Sequence, residues 1–263
     1  MFFEDTESGE ETQRGPLAAI RRTHQQFPVT FEIRAGNPPV HGFGEGDGAV
    51  VQPQVDVFAI DAGFPNFVNL LGIKTDISQR ADVQAMVARV LAELGRVDVL
   101  INNAAIPIGQ PIADFTDEMF HRVINVNLLG AMLCSQAVLK PMKDQKYGRI
   151  VNIASGAAVK PYKGAALYAA AKAGLIAFTR VLALEAAPHI VVTAVAPGWV
   201  NTAMGSESAP TEVDFEMGIQ DNPFGRPLYP NEVADVIVYA ATNISHALTG
   251  QTLHARGGSL PFM

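Results

Sequence analysis

Three residues have the types and spacing of an acid/base site: Ser155, Tyr168 and Lys172. Ser155 closes an apolar run, residues 149–154, that reads as a buried strand. Tyr168 opens a long alanine-rich run and Lys172 stands four positions on. On a helix that spacing puts the phenol and the ammonium one turn apart on the same face. A free tyrosine has a pKa of about 10, too high to accept a proton at neutral pH. A cation within about 4–6 Å favours the phenolate and draws that pKa toward the working range. A serine hydroxyl at the strand end can donate to a substrate oxygen as negative charge builds there. Taken alone, a tyrosine and a lysine at this spacing are also what any helix with one aromatic and one solvated lysine shows.

Such a site needs a rigid frame, and the chain supplies alternating elements. Short β-branched runs at 29–33, 55–60 and 73–76 read as strands. Ser78 is the expected N-cap of a helix reaching Leu94, with Val83, Met86, Val87, Val90 and Leu91 at helical spacing and Gly95 just past its end. A fourth strand spans 97–103. Thr116 caps the next helix, with Asp117 and Glu118 in its first turn, where the dipole favours acids; it is expected to stop before Pro141. The strand around Ile150 follows, then the Tyr168 helix ending before Pro188, then a strand at 190–196. A short helix at 212–220, a helix from Asn231 and a last strand at 251–254 complete the order. Strands alternating with helices call for an α/β fold, a mostly parallel sheet covered on both faces. With no repeat and no linker, a single domain is expected over 28–263, after a poorly ordered extension at 1–27.

Composition narrows the partners. With 48 % hydrophobic and 17 % charged residues the chain is globular, and a net charge of −7 argues against a nucleic-acid partner. Cys134 is the one cysteine, so no intrachain disulfide forms and a reducing compartment is expected. The most apolar run, 165–187, is interrupted by Lys172, Arg180 and Glu185, so no membrane span is expected, and residues 1–26 lack the apolar core of a signal peptide. The expectation is a cytoplasmic protein with no membrane partner and no metal.

Further motifs frame the site. Asn102-Asn103-Ala104-Ala105 lies where a strand meets a loop, and Asn125-Val126-Asn127 puts two mediocre helix formers inside a helix. Pro197-Gly198-Trp199-Val200-Asn201-Thr202 follows a strand, and Asp61 and Asp76 each end one. Thr249-Gly250-Gln251-Thr252 and Ala255-Arg256-Gly257-Gly258 lie near the end of the chain. From about residue 55 to residue 258 this set resembles the short-chain dehydrogenase/reductase family, with Ala105 where a glycine is usual and Arg256 where an aspartate is common.

The resemblance implies a Rossmann-like, doubly wound parallel sheet and hydride transfer between NAD(H) and a secondary alcohol or carbonyl. It makes Tyr168 the acid/base, Lys172 its tuner and a contact of the nicotinamide ribose, Ser155 the group that orients the substrate oxygen, and Asn127 the holder of a relay water. Asn103 and Ala104 would line the cofactor groove, Asp76 and Ile77 the adenine pocket, and Pro197, Gly198, Val200 and Thr202 the nicotinamide end. Asp61, at the end of the second strand, would bond the adenosine ribose and favour NAD over NADP. Residues 203–212 read as a lid over a small or medium apolar substrate, with Trp199 and Met204 as wall. The Tyr168 and Thr116 helices would pack across a subunit interface, giving a dimer or homotetramer.

One segment departs from the pattern. The first strand should lead into Thr-Gly-x3-Gly-x-Gly and a helix whose N-terminus receives the pyrophosphate. Gly42 and Gly44 keep the last spacing, but Gly36 is two positions too far upstream, Pro38 and Pro39 intrude, and Gly46, Gly48 and Pro53 break the helix that should follow. Three readings fit: a remodelled cofactor loop, a protein that has lost dinucleotide binding and acts as an interaction partner, or a stretch translated in a shifted frame. A dehalogenating relative, which the resemblance gives an arginine at the Lys172 position, is a weaker choice.

Overall fold

The structure, a computed structural model, describes residues 29–35, 55–64, 67–107, 109–202, 204, 222–242 and 246–258. The extension at 1–27, the glycine-rich positions Gly36, Gly42 and Gly44, the helix expected at 212–220 and all of the lid except Met204 lie outside those residues.

Seven strands form one sheet: β1 (Val29–Ala35), β2 (Val55–Phe64), β3 (Phe67–Thr75), β4 (Val99–Asn102), β5 (Gly148–Ile153), β6 (Ile190–Pro197) and β7 (Thr252–Ala255). Their order is β3-β2-β1-β4-β5-β6-β7. The pairs from β1 through β7 by way of β4, β5 and β6 are all parallel. The mostly parallel sheet is therefore present, with one exception: β2 pairs antiparallel with both β1 and β3. A parallel neighbour needs a long crossover, whereas an antiparallel one can follow within a few residues, and β2 and β3 pair from Phe64 opposite Phe67 onward.

The central strands alternate between two cores. Leu100, Ile150 and Val192 face one side, with Val83, Met86 and Val90 of α1 (Arg80–Leu94), Leu133, Cys134 and Val138 of α3 (Ala131–Asp144), and Leu182 and Ala186 of α4 (Ala166–Ala186). Val99, Ile101, Val151, Ile153 and Val195 face the other side, where Ala240 and Ala241 of α5 (Pro230–Thr242) cover them. Strands buried on both faces explain the unbroken apolar runs in the sequence.

Helix ends match the expectations in part. Gly95 takes the left-handed conformation at φ 79° and its N–H donates to the Leu91 carbonyl 3.0 Å away, stopping α1 as expected. Ser78 is not the cap, because α1 starts at Arg80 behind Gln79. Its hydroxyl and N–H both go to Asp76 Oδ1, at 2.7 and 2.9 Å, so the serine serves the turn after β3 instead. Thr116 does cap α2 (Asp117–Ile124), its Oγ1 accepting from Met119 N at 3.3 Å.

The helix expected to stop before Pro141 runs on to Asp144. Proline inside a helix costs about 3 kcal/mol, but this one falls near the end and burying a side chain such as Met142 returns roughly 1.5–3 kcal/mol. Met142 and Val138 are both fully buried. Between α2 and α3 the chain makes a wide turn of π-helix, Asn125–Gly130. By length and hydropathy alone two stretches, Asp117–Asp144 and Ala166–Ala186, would suffice to cross a membrane, contrary to the sequence expectation. Both lie on the sheet and put one face into the core.

Gly130 is where the wide turn meets the core. A Cβ there would sit 2.6 Å from Ile77 Cδ1 and 3.3 Å from Ile77 Cβ, and Ile77 is itself buried, so a swing of the side chain tip does not relieve the clash. Gly130→Ala should therefore lower unfolding free energy by about 1–3 kcal/mol, read as a fall in the urea midpoint. A variant as stable as the parent would show that this packing is loose.

Candidate functional site

The carboxyl ends of the parallel strands form one edge of the sheet, and the candidate residues collect there through local causes. β5 delivers Ser155 just past Ile153, in extended backbone, where its Oγ accepts from Ala157 N at 3.1 Å and caps a single turn of 3-10 helix, Gly156–Ala158. α4 brings Tyr168 and Lys172 on one face, as the spacing requires. Lys172 Nζ donates to the Ile153 carbonyl oxygen at 2.7 Å, which fastens α4 to the end of β5 two residues before the serine. The Ser155 hydroxyl is near enough to the Tyr168 phenol to draw its pKa downward. Lys172 Nζ also stands 5.8 Å from the centre of the Tyr168 ring. The structure brings these three side chains together.

Their charges are set mainly by burial. Lys172 is 2 % exposed and desolvation brings its pKa down to about 8. Desolvation pushes the Tyr168 phenol up to about 12, against a smaller downward pull from the nearby Ser155 hydroxyl. Removal from water is the dominant influence on the Tyr168 phenol. At neutral pH Tyr168 is a protonated phenol and can act as a proton donor.

Asn127 sits in the wide turn of π-helix between α2 and α3. It is buried, its Oδ1 accepts from Ile106 N at 2.8 Å and its Nδ2 donates to the Ile106 carbonyl at 2.9 Å. Both ends of the amide thus clamp the loop that follows β4. Asn102 and Asn152 extend this order inside the sheet. Asn102 Nδ2 donates to Asn152 Oδ1 at 2.8 Å, and Asn152 Nδ2 donates to Thr179 Oγ1 of α4 at 2.9 Å.

The expected cofactor residues separate into groups. Asn103, half-buried, and Ala104, buried, lie at the end of β4, and Pro197 and Gly198 at the end of β6, on the two sides of the Ser155 turn. The turn after β6 is held by Gly198 N on Ala255 O at 2.8 Å and by Asn201 N on Leu228 O at 2.8 Å. Val200 bridges to Leu228, and Thr202 is exposed. Asp76 lies at the end of β3 with its carboxylate on Ser78. The Ile77 side chain points into the core and does not line a groove.

Asp61 is displaced altogether. Its partner in β1 is Val29, the first residue of that strand, so it stands at the opposite end of the sheet from Ser155. Because β2 runs against its neighbours, its carboxyl end points away from theirs. Asp61 is therefore not positioned to meet an adenosine ribose at the site, and the sequence argument for NAD over NADP loses its basis.

Two residues were missed. Arg256 is 8 % exposed and fills the space beside Gly156 and Gly198: a Cβ on Gly156 would be 3.2 Å from Arg256 Nε, and one on Gly198 would be 3.1 Å from its Cα. Tyr162 interacts electrostatically with Tyr168 from the loop between Ser155 and α4. Gly164, two positions past Tyr162, was the available sign of a tight turn there.

Residues 65–213 match the family model described as short chain dehydrogenase. The chain is 36 % identical over 221 residues to a hydroxy(phenyl)methylsuccinyl-CoA dehydrogenase subunit of Thauera aromatica, an alignment covering 82 % of this chain and 88 % of that one. It is 39 % identical to acetoacetyl-CoA reductase of Shinella zoogloeoides over 70 % of this chain and 77 % of the other. A crystal structure of a variant of actinorhodin polyketide ketoreductase with NADPH superposes with TM-score 0.66 at 37 % identity, covering 70 % and 75 % of the two chains.

The buried lysine makes a prediction that needs no substrate. Unfolded, Lys172 holds its proton up to about its ordinary 10.5, but folded only up to about 8, so burial penalises the folded state at neutral pH. The penalty lifts as pH rises from about 8 to 10.5, because there the unfolded chain binds the extra proton. Lys172→Met should thus be more stable than the parent at pH 7, by on the order of 2 kcal/mol after loss of the Ile153 bond. Urea unfolding at pH 7 and at pH 10 should show that advantage shrinking; a gap that stays constant with pH would contradict it.

Proposed function

Since the chain belongs to the short-chain dehydrogenase family, we propose that it transfers a hydride between a nicotinamide dinucleotide and a secondary alcohol or ketone. Family membership makes it an oxidoreductase acting on keto or hydroxy groups. The observation that carries the finer reading is the buried lysine anchored on Ile153 O, with Tyr168 one turn away on the same helix and Ser155 two residues past that carbonyl. A protonated phenol backed by a hydroxyl is suited to give a proton to a carbonyl oxygen on reduction and to take it back on oxidation. Ser155 orients that oxygen. Lys172 holds the helix register and bonds the ribose on the nicotinamide side. Asn127 holds the loop after β4, and with it Asn103.

The residues present suit the nicotinamide half of the cofactor: Asn103 and Thr202 offer polar side chains, and the 197–202 turn is tied down on both sides. When bound, the dinucleotide supplies or accepts the hydride. NADP(H) is the favoured form, because Asp61 stands at the far end of the sheet and the similar ketoreductase structure is named with NADPH. The substrates to try first are 3-oxoacyl thioesters, after the relatives named for acetoacetyl-CoA. A second reading, a family member that no longer binds dinucleotide, draws on β2 running antiparallel where the resemblance implies a parallel strand.

Titration with NADPH and NADH, followed by Trp199 fluorescence, separates the two. Micromolar binding of NADPH, with turnover in the parent and a loss of about 10²–10⁴-fold in kcat in Tyr168→Phe, supports the dehydrogenase reading. A folded chain that binds neither nucleotide favours the second.

An oligomer is proposed on separate grounds. Val181 and Leu184 lie on the outer face of α4, 54 % and 81 % exposed, and Phe120 on α2 is 41 % exposed. Large apolar side chains grouped on the outer faces of two helices suit a subunit contact. Light scattering should give a dimer or tetramer for the parent and a smaller species for Leu184→Glu; a parent that is monomeric at micromolar concentration would remove this part.

A further inference from the structure

Four buried side chains away from the reacting groups join α3 and α4 to the sheet. Asn102 of β4 and Asn152 of β5 are paired in register, and Asn102 Nδ2 donates to Asn152 Oδ1 at 2.8 Å. At one end Asn102 Nδ2 also donates to Ser135 Oγ of α3 at 3.1 Å; at the other, Asn152 Nδ2 donates to Thr179 Oγ1 of α4 at 2.9 Å. Both hydroxyls spend their own proton inside their helix, Ser135 on the Ala131 carbonyl at 2.7 Å and Thr179 on the Leu175 carbonyl at 2.8 Å. With that proton committed, each hydroxyl is an acceptor toward its asparagine, and the direction of every bond is set. All four residues are buried, and Asn152, Ser135 and Thr179 have no exposed surface.

None of the four has a part in the proton or hydride transfer, yet one end of the chain lies on the helix that carries Tyr168. Thr179 stands two helical turns past Lys172, so both face β5. They take hold of consecutive residues there: Lys172 Nζ bonds the Ile153 carbonyl at 2.7 Å, and Thr179 bonds the Asn152 side chain. The two contacts differ in kind. Lysine reaches through a flexible four-carbon stem, whereas the threonine hydroxyl stands on a stiff, branched Cβ beside the helix backbone. A valine would fill the same buried space with no polar group to satisfy, so what the hydroxyl adds is direction rather than burial. We propose that Thr179, acting through Asn152, is a positioning residue of the reaction: it holds α4 at the height over β5 at which Tyr168 and Lys172 serve the Ser155 turn. This inference rests on the hydride-transfer reading above.

The test uses the full chain, NADPH and acetoacetyl-CoA, well below the unfolding midpoint of each form. Thr179→Val keeps the shape and removes the hydroxyl. It should lower kcat and kcat/KM together by about tenfold and leave KM unchanged, the mark of reacting groups held out of place. Thr179→Ser restores the hydroxyl and leaves a small void; it should return kcat to within about twofold of the parent while staying less stable to urea. Thr179→Val also strands Asn152 Nδ2. Asn152→Leu combined with Thr179→Val removes both polar groups, leaves Asn102 its Ser135 partner, and should show the same fall in kcat. Parental kcat in the folded Thr179→Val or double variant would make the network purely structural and overturn the proposal, as would a Thr179→Ser form as slow as Thr179→Val. A parent inactive on 3-oxoacyl thioesters and simple ketones alike would overturn the hydride-transfer reading and this inference with it.

Discussion

A buried ammonium bonded to one strand carbonyl sets the geometry of this protein. Lys172 gives up its water to reach Ile153 O at 2.7 Å, and burial lowers its pKa to about 8 as a result. A hydrogen bond from a charged group contributes roughly 1.5–3 kcal/mol, which offsets only part of the roughly 3.4 kcal/mol that a pKa drop from 10.5 to about 8 costs. The contact therefore adds little net stability and much position. It fixes the register of α4 against the end of β5, and with it the distance from Tyr168 to Ser155. The Asn102–Asn152–Thr179 chain of hydrogen bonds makes a second tie between the same elements, further from the site, and all of its members are buried. Buried polar groups that satisfy one another restrict a helix to one placement more firmly than apolar contacts do.

The other organising feature is the reversed strand β2. Ala35, the last residue of β1, is opposite Val55, the first of β2. The end of β1 and the start of β2 therefore both lie at the edge that carries Ser155. The reversal sends the other end of β2, with Asp61, to the far edge. The family model begins at residue 65, just beyond β2. The departure in sequence and the departure in topology thus fall in the same part of the chain.

What lay open in the sequence was local. Tyr168 and Lys172 share a helical face because 3.6 residues make a turn. Thr116 caps α2 and Gly95 ends α1 for reasons contained in a few neighbouring residues. The apolar strand runs announced a sheet covered on both sides, and the strands and helices fell close to their expected places. Ser78 and Pro141 show the limit of this reasoning. The serine found a better partner in Asp76, and the proline was carried by burial of its neighbours Val138 and Met142.

Relations between distant parts of the chain were decided only by the tertiary structure. The direction of β2 follows from pairing across the sheet, and that direction alone determines which end of the molecule receives Asp61. Asn127 was recognisable as an asparagine needing a purpose, but its partner, the Ile106 backbone, is visible only once the loop after β4 folds against the wide turn. Arg256 packs against Gly156 and Gly198 because the end of β7 brings it there. The sequence by itself determined the chemical groups, their helical phase and the fold class, since those depend on periodicity and composition. The structure decided their charge state and company, since desolvation and long-range pairing depend on the whole packed chain.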